Sequence, residues 1–480
     1  VAVTDRLATL IARRRPRVLV IGDAILDAWL SGECHRLCRE APAPVLDVAS
    51  HRFAPGGAAN TAVNLAALGA DTRLVAAVGD DPEGLLLRNE LRRSGVDTAG
   101  VVAVPGRATV TKRRLMAGGQ LLARIDDGDR DPLPAQAIHR LRRAIDLDGV
   151  AAVVVCDYGL LDPAVLADLP DHPVVAVDAH DLARWSWLRP DFVTPNVAEA
   201  ERLLGTRLPP DADGRLAELR RRQSDLHRAT GAAAVVVTMD RQGAVLLTNG
   251  RPAHRTWADP VPDNQTTGAG DTFVAATCLA RAIGLPMTTA VELGQAAADV
   301  VVHQGGTSVC GTAELAARLS RSRTAALSAD QLADRVAEHR LAGRRIVFTN
   351  GCFDLLHPGH IACLNQAKRL GDVLVVAVNA DRSVRRLKGP GRPVNPVADR
   401  VAVLAALSCV DHVTVFDTDD ATDLVRLLRP DVYVKGADHT IESLPEAAAV
   451  RECGGEIRLL DHLPARSSAA VIDRIRAAAS

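Results

Sequence analysis

The sequence predicts an α/β protein of two doubly wound parallel sheets, the first with a small β lid projecting from it. Three observations lead there. Short apolar runs end repeatedly in a polar residue and are separated by stretches of helical periodicity, the pattern of parallel strands covered on both faces. The rhythm stops near residue 320 and restarts near 344. A chain of 480 residues is long enough for two or three domains, each with its own core. The expected division is a first domain over 1–320, a linker helix over 321–343, and a smaller second domain over 344–480.

The elements follow in order. The first strand, 17–21, ends in Gly22-Asp23, with Asp27 close behind. Acids just past the end of a buried parallel strand lie where open α/β sheets bind ligands. Segments 29–48 and 101–125, rich in Val, Thr and Arg and broken by Gly and Pro, do not form βαβ units, and a lid sheet accounts for them. Between them Pro55-Gly56-Gly57-Ala58-Ala59-Asn60 opens a helix. Paired glycines there let a ligand touch the backbone, and Asn60 offers a hydrogen bond. Strands at 153–155, 174–177, 192–193 and 234–237 then run into Asp157, Asp178, Thr194-Pro195-Asn196 and Thr238. Next, Thr266-Thr267-Gly268-Ala269-Gly270-Asp271-Thr272-Phe273 leads a helix of small residues. The backbone from Gly268 to Gly270 would offer N–H groups to a moving phosphoryl group, and Asp271 could take a proton from a hydroxyl. No Gly-x-x-x-x-Gly-Lys-Ser/Thr string occurs, which excludes a P-loop NTPase.

In the second domain, strands at 345–349, 373–378, 412–416, 432–434 and 457–460 alternate with helices at 359–370, 399–407 and 422–428, and a last helix starts at Ser467. Residues 347–361 contain Asn350-Gly351-Cys352-Phe353-Asp354 and then His357-Pro358-Gly359-His360, a strand, a loop and a helix N-terminus. Such a junction presents free N–H groups and a positive dipole end to an anion, and residues three apart share one side of the first turn. Phosphate is the expected guest.

Composition narrows the partners. Lys plus Arg (57) and Asp plus Glu (58) nearly cancel, so no whole-chain field draws the protein to nucleic acid or membrane, and small molecules are expected instead. No apolar run spans a bilayer and no signal-peptide pattern opens the chain, so the expectation is a cytoplasmic protein. Nine cysteines without a Cys-x-x-Cys pair point to reduced thiols. Cys34, His35 and Cys38 cluster, but no second group completes four ligands, so no resident metal is expected. Only four basic residues are lysine, namely Lys112, Lys368, Lys388 and Lys435, while 53 are arginine. Each lysine is a site candidate where a compact ammonium fits and a guanidinium fork does not.

Residues 347–361 resemble the cytidylyltransferase-like nucleotidyltransferases, in which two histidines, here His357 and His360, steady the reacting α-phosphate. The resemblance implies nucleotide or phosphate contacts at Asn350, Gly351, Phe353, Asp354, Lys368, Asn379, Asp381, Lys388, Arg392, Arg400, Lys435 and Asp438. It extends to Ser467 and Ser468, although Ala469 stands where a further Thr is common. Gly22-Asp23, Gly56-Gly57-Ala58-Ala59-Asn60, Thr194-Pro195-Asn196 with Glu199, and Thr267-Gly268-Ala269-Gly270-Asp271 resemble the ribokinase-like sugar kinases over about residues 16–320. That resemblance implies ATP with Mg2+, Asp271 as base, and ATP contacts at Asn196, Glu199, Thr238, Gly268, Ala269 and Gly270. It also implies sugar contacts at Asp23, Asp27, Gly56, Gly57, Asn60, Lys112 and Arg124.

The order of the halves, Arg39-Glu40-Ala41-Pro42-Ala43-Pro44 and the run from Arg385 to Pro396 resemble the bifunctional enzymes of ADP-heptose synthesis. The implied reactions are phosphorylation of heptose 7-phosphate at C1 and adenylyl transfer from ATP to the 1-phosphate, and lids of this kind suggest a homodimer. Two alternatives stay open: a similar pair acting on another sugar phosphate or with CTP, or one half reduced to a nucleotide-binding module. Two departures stand out. Gln265 occupies a place where Asp is common, with Asp263 upstream, and Asp178-Ala179-His180 stands where Asp-Pro-Lys is common. The second exchanges an ammonium for a group expected to be mostly neutral at pH 7.

Overall fold

The structure, a computed structural model, describes residues 5–167, 174–258, 268–303, 308–324, 326–407, 409–436 and 440–460. The chain forms two compact units, Val1–Leu319 and Ser320–Ser480.

The first unit contains β1 (Arg17–Gly22), β2 (Ala24–Leu37), β3 (Pro44–Gly57), β4 (Asp71–Gly79), β5 (Asp97–Val104), β6 (Thr111–Ala117) and β7 (Gln120–Asp127). It continues with β8 (Val150–Asp157), β9 (Val174–Ala179), β10 (Phe192–Val193), β11 (Ala234–Thr238), β12 (Ala244–Thr248) and β13 (His254–Thr256). The main sheet runs β13-β12-β11-β10-β9-β8-β1-β4-β5. From β11 to β5 every neighbour is parallel, whereas β12 and β13 pair antiparallel at one edge. That edge departs from the all-parallel expectation. Only residues 239–243, which include the short turn Asp240–Gln242, separate β11 from β12, too little chain for a crossover, so the strands close as a hairpin.

Alternate residues of the central strands enter different cores. Val18, Val20 and Val154 pack with the helices Ala58–Ala67, Ala269–Ala282 and Met287–Val302, while Leu19, Ile21 and Val155 pack on the other face. The chain winds outward from β1 through β4 to β5 on one side and through β8 and β9 on the other. The C-terminal ends of β1 and β8 therefore flank the switch point, where open sheets leave a crevice.

The lid is a separate sheet, β3-β2-β6-β7. It takes in the expected 29–48 stretch, but residues 101–104 belong to β5 of the main sheet, where Val101, Val102 and Val104 are buried. Two strands of 14 residues, β2 and β3, make it long enough to overhang the crevice.

The second unit has β14 (Ile346–Gly351), β15 (Val373–Asn379), β16 (His412–Phe416), β17 (Val432–Gly436) and β18 (Glu456–Leu460), in the order β16-β15-β14-β17-β18, all parallel. The helix expected as a linker, Ala329–Leu341, is built into this unit. Leu332 and Val336 share a core with Ile346 and Phe348, and a capping box of Ser328 and Gln331 starts the helix. An amphipathic stripe is stable only when covered, and the adjoining sheet face covers it. The helix Asp381–Lys388 was not anticipated: only Ser383 and Val384 are buried, so it leaves almost no apolar period to read. The expected helix from Ser467 lies outside the described residues.

Candidate active sites

The first site forms where β1 and β8 end and the helices Ala58–Ala67 and Ala269–Ala282 begin. Gly268 takes φ +84° before the second helix, a conformation that suits glycine, and no side chain caps the helix. Among the described residues a Cβ on Gly270 would meet nothing within 4 Å, which leaves room there for a ligand. Asp271 sits in the first turn with both oxygens engaged: Asn60 Nδ2 donates to Oδ2 at 2.7 Å and the Tyr158 hydroxyl to Oδ1 at 2.6 Å. Burial pushes its carboxyl up to about 6, against the pull of those two bonds. Asn60 is steadied in turn by Asn64, whose Nδ2 donates to Asn60 Oδ1 at 3.1 Å.

The lid supplies the opposite wall. Lys112 Nζ lies 5.6 Å from the Tyr158 ring centroid, and its charge draws the Asp271 pKa down. Asp27 pairs with Arg114 at 2.7 Å, and Gly56 leaves it room, since a Cβ there would lie 2.5 Å from Asp27 Oδ2. Gly57 has φ +59° and runs against the Asp23 carbonyl.

Other expected residues hold partners within the protein. Asp23 Oδ2 accepts the N–H groups of Tyr158 (2.8 Å) and Leu160 (3.0 Å), so this oxygen fixes the loop bearing Tyr158. Burial pushes Asp23 up to about 7, and burial followed by repulsion from Asp271 does the same for Asp178. Asn196 and Glu199 close a capping box on the helix Val197–Leu204, and Thr238 Oγ1 donates to the Pro195 carbonyl at 3.5 Å. His180 Nδ1 lies 2.9 Å from Glu199 Oε1, and that hydrogen bond raises its pKa. Arg124 stands on exposed β7, paired with Asp126. Gln265, Asp263 and Thr267 lie outside the described residues.

In the second unit His357 is the N-cap of the helix Pro358–Lys368, with Pro358 in its first turn and no side-chain cap. The His357 and His360 rings lie 3.8 Å apart between centroids, and Phe353, at φ +47°, stands 5.4 Å from His360. Lys435 Nζ donates to the Asn350 carbonyl at 3.0 Å, which brings it to the same strand end. Both Lys388 and Lys435 lower the pKa of the Cys352 thiol, while its burial pushes that pKa up more strongly. The thiol lies 3.7 Å from Asn379 Oδ1. Cations therefore gather around the loop from Gly351 to His357.

Several expected phosphate ligands also brace that loop. Asp354 accepts from Arg392 Nε and from the N–H groups of Val394 (2.7 Å) and Asn395 (3.1 Å). Arg400, fully buried, donates to the Cys352 carbonyl at 2.5 Å and to Asp381 Oδ1 at 2.7 Å. Asn350 is held from below by the Tyr433 hydroxyl at 2.8 Å and by Glu446 at 2.9 Å. Lys368 is misplaced by the sequence reading. The helix from Pro358 runs back along the sheet, so its last residue reaches the strands' N-terminal edge, where Lys368 Nζ donates to Asp411 (2.5 Å) and the Asp372 carbonyl (2.6 Å). Asp438, Ser467 and Ser468 lie outside the described residues.

Sequence reasoning missed Tyr158 and Tyr433. The chain has only two tyrosines, and each hydroxyl holds a residue of one site. That scarcity, like the scarcity of lysine, was the available signal.

A buried carboxylate before an open helix end under a β lid, and a histidine pair at the end of a five-stranded parallel sheet, define a sugar kinase joined to a nucleotidyltransferase. Residues 15–314 match the pfkB family carbohydrate kinases and residues 348–469 the cytidylyltransferase-like proteins. The fold of the first unit is that of ribokinase from Cryptococcus neoformans var. grubii serotype A in complex with ADP, at TM-score 0.51 and 20% identity over 63% of this chain and 99% of that chain. It is also that of phosphofructokinase-2 from Escherichia coli in complex with substrates and products, at TM-score 0.52 and 19% identity over 64% of this chain and 99% of that one. Over both units the chain is 39% identical to the bifunctional protein HldE of Pseudomonas paraeruginosa, covering 96% of this chain and 97% of the relative. To the protein of the same name from Methylococcus capsulatus it is 38% identical, covering 96% and 98%. The chain belongs to the family of bifunctional HldE proteins and carries kinase and nucleotidyltransferase activity.

Proposed function

We propose that the two units act in turn on one sugar. The first transfers the γ-phosphoryl group of ATP to the anomeric hydroxyl of D-glycero-β-D-manno-heptose 7-phosphate. The second joins the resulting 1-phosphate to the AMP moiety of another ATP and releases pyrophosphate.

The observation that carries this reading is Asp271, ionisable near neutrality and held between Asn60 and Tyr158 in front of an open helix end. In the first step the hydroxyl gives its proton to Asp271 as its oxygen attacks the γ-phosphorus and ADP leaves. The helix N–H groups face the charge that develops on the moving group. In the second step the sugar phosphate is already an anion, so no base is needed. Its oxygen attacks the α-phosphorus and pyrophosphate departs, while His357, His360, Lys388 and Lys435 offset the charge of the crowded centre.

Magnesium is expected to arrive with ATP. Among the described residues no group of three or more His, Cys, Asp or Glu is arranged to hold a metal. Both steps consume ATP, which favours a cytoplasmic setting, and among the described residues no helix is long and apolar enough to cross a membrane. The lid exposes Phe53 (40%) and Ile125 (47%) on one face, which supports a homodimer that covers them.

The test is incubation with ATP and heptose 7-phosphate, with products identified by mass. Heptose bisphosphate followed by ADP-heptose is expected. A nucleotide sugar formed only when CTP is supplied, or no phosphorylation of this heptose, would overturn the assignment.

A further inference from the structure

The helix Ala58–Ala67 buries two amides among small and apolar residues. Asn60 and Asn64 stand one turn apart on one side of it, and neither is more than 1% exposed. Asparagine is a poor helix former, and an amide taken out of water costs stability unless it finds partners. Here the nitrogen and the oxygen of both side chains are hydrogen-bonded.

Those bonds fix which way round each amide lies. The Cys310 N–H, which can only donate, meets Asn64 Oδ1 at 3.0 Å, and the Asn60 carbonyl, which can only accept, takes Asn64 Nδ2 at 3.0 Å. Backbone groups thus orient the Asn64 amide from both ends. Thr272 Oγ1, on the helix that carries Asp271, adds a contact to Asn64 Oδ1 at 3.0 Å. With its nitrogen turned this way, Asn64 also donates to Asn60 Oδ1 at 3.1 Å. The Asn60 oxygen is engaged there, and its nitrogen is left to face Asp271 Oδ2 at 2.7 Å.

That direction matters at Asp271. Turned by 180°, the Asn60 amide would set an oxygen against the carboxylate, acceptor against acceptor. The other groups that bear on Asp271 are the Tyr158 hydroxyl, which donates at 2.6 Å, the Lys112 ammonium, which favours the ionised form, and Asp27 and Asp178, which oppose it. Asp271 therefore stands at the end of a directed chain of hydrogen bonds that starts at the Cys310 N–H, on a segment 39 residues farther along the sequence.

We propose that Asn64 is a positioning residue for phosphoryl transfer, an assignment that rests on Asp271 being the base. Held by the Cys310 N–H, Asn64 sets the direction of the Asn60 amide and so keeps a donor on the carboxylate that takes the proton. Asn64 is fully buried and acts only through Asn60.

The test is the pH profile of kinase kcat/KM, with ATP and heptose 7-phosphate, for the wild-type chain, Asn64→Asp and Asn64→Ser. Asn64→Asp keeps an acceptor for the Cys310 N–H and puts a second acceptor where the donor was, in nearly the same shape. Asn60 must then turn its nitrogen away from Asp271, and the acid limb should move up by about one to two pH units, with the rate recovering at alkaline pH. Asn64→Ser is smaller and adds no charge. It should move the limb the same way by less, since Asn60 is then free to lie either way round. Where Asn64→Asp does not fold, Asn64→Ser decides alone. An equal loss at every pH in a folded variant would mean that Asn64 only supports the fold, and a shift in Asn64→Asp without one in Asn64→Ser would be the effect of added charge. Either result would overturn the assignment. An Asp271→Asn chain that still phosphorylates the sugar at the wild-type rate would instead tell against the reading beneath it.

Discussion

In the proposed reaction Asp271 is the base, and its surroundings set two opposing pulls, burial raising its pKa and two hydrogen bonds lowering it. The base must be ionised, so kinase kcat/KM should fall as pH drops through about 6, and a pH profile checks it. Tyr158→Phe removes a bond that favours the ionised form, so the acid limb should move to higher pH while activity at alkaline pH is largely kept. A uniform loss at every pH would mean that Tyr158 only supports the fold. Asp271→Asn should reduce kinase turnover by about 10²–10⁴-fold and leave adenylyl transfer from supplied heptose 1-phosphate intact. As candidates, Asp271, His357 and His360 were legible because motif and chemistry coincide. The duties of Asp23 and Arg400 were not, because a carboxylate or guanidinium that holds a loop looks the same in sequence as one that holds a ligand.

At the scale of elements, the helix Pro358–Lys368 has two ends with different work. The histidines stand at one and Lys368 at the other, where its bond to Asp411 is partly exposed. Lys368→Met should therefore cost at most about 1 kcal/mol and leave nucleotidyl transfer unchanged, as denaturation and initial rates would show. Lys388→Arg and Lys435→Arg should each impair transfer, since Lys435 donates to the Asn350 carbonyl beneath the loop and a broad fork does not fit there. Wild-type rates in both would refute that. Leu332→Ala should destabilise the second unit by about 2–5 kcal/mol, as a core residue does, which no linker position would. The alternation of apolar strands made most of the two sheets legible. The β12 and β13 edge was not, because a strand's direction depends on the length of its connection.

For the whole molecule, two compact units with separate sites should behave as two catalysts linked by a free intermediate. His360→Ala should abolish most adenylyl transfer and spare the kinase. A mixture of Asp271→Asn and His360→Ala chains should then make ADP-heptose from heptose 7-phosphate, after a lag while the 1-phosphate accumulates. No product from the mixture, with each single activity intact, would mean that the intermediate does not pass between chains. The division into halves was legible because each half repeats the strand and helix rhythm, and the place of Ala329–Leu341 was not, because an amphipathic stripe does not name its partner.

The lid is joined to the main sheet with almost no chain to spare. Only Asp23 separates β1 from β2, β3 ends at Gly57 directly before the helix that carries Asn60, and the Asp23 carbonyl accepts the Ala58 N–H at 3.0 Å. The lid is thus a lever with its fulcrum between Asp23 and Gly57. On the far side of that junction the helix Ala58–Ala67 carries the Asn60 side chain that touches Asp271. Stiffness at the fulcrum is what lets a force at one end be felt at the other. Gly57→Ala would drive a Cβ to 2.7 Å from the Asp23 carbonyl and strain a backbone at φ +59°. It should slow the kinase and leave the nucleotidyltransferase as it was.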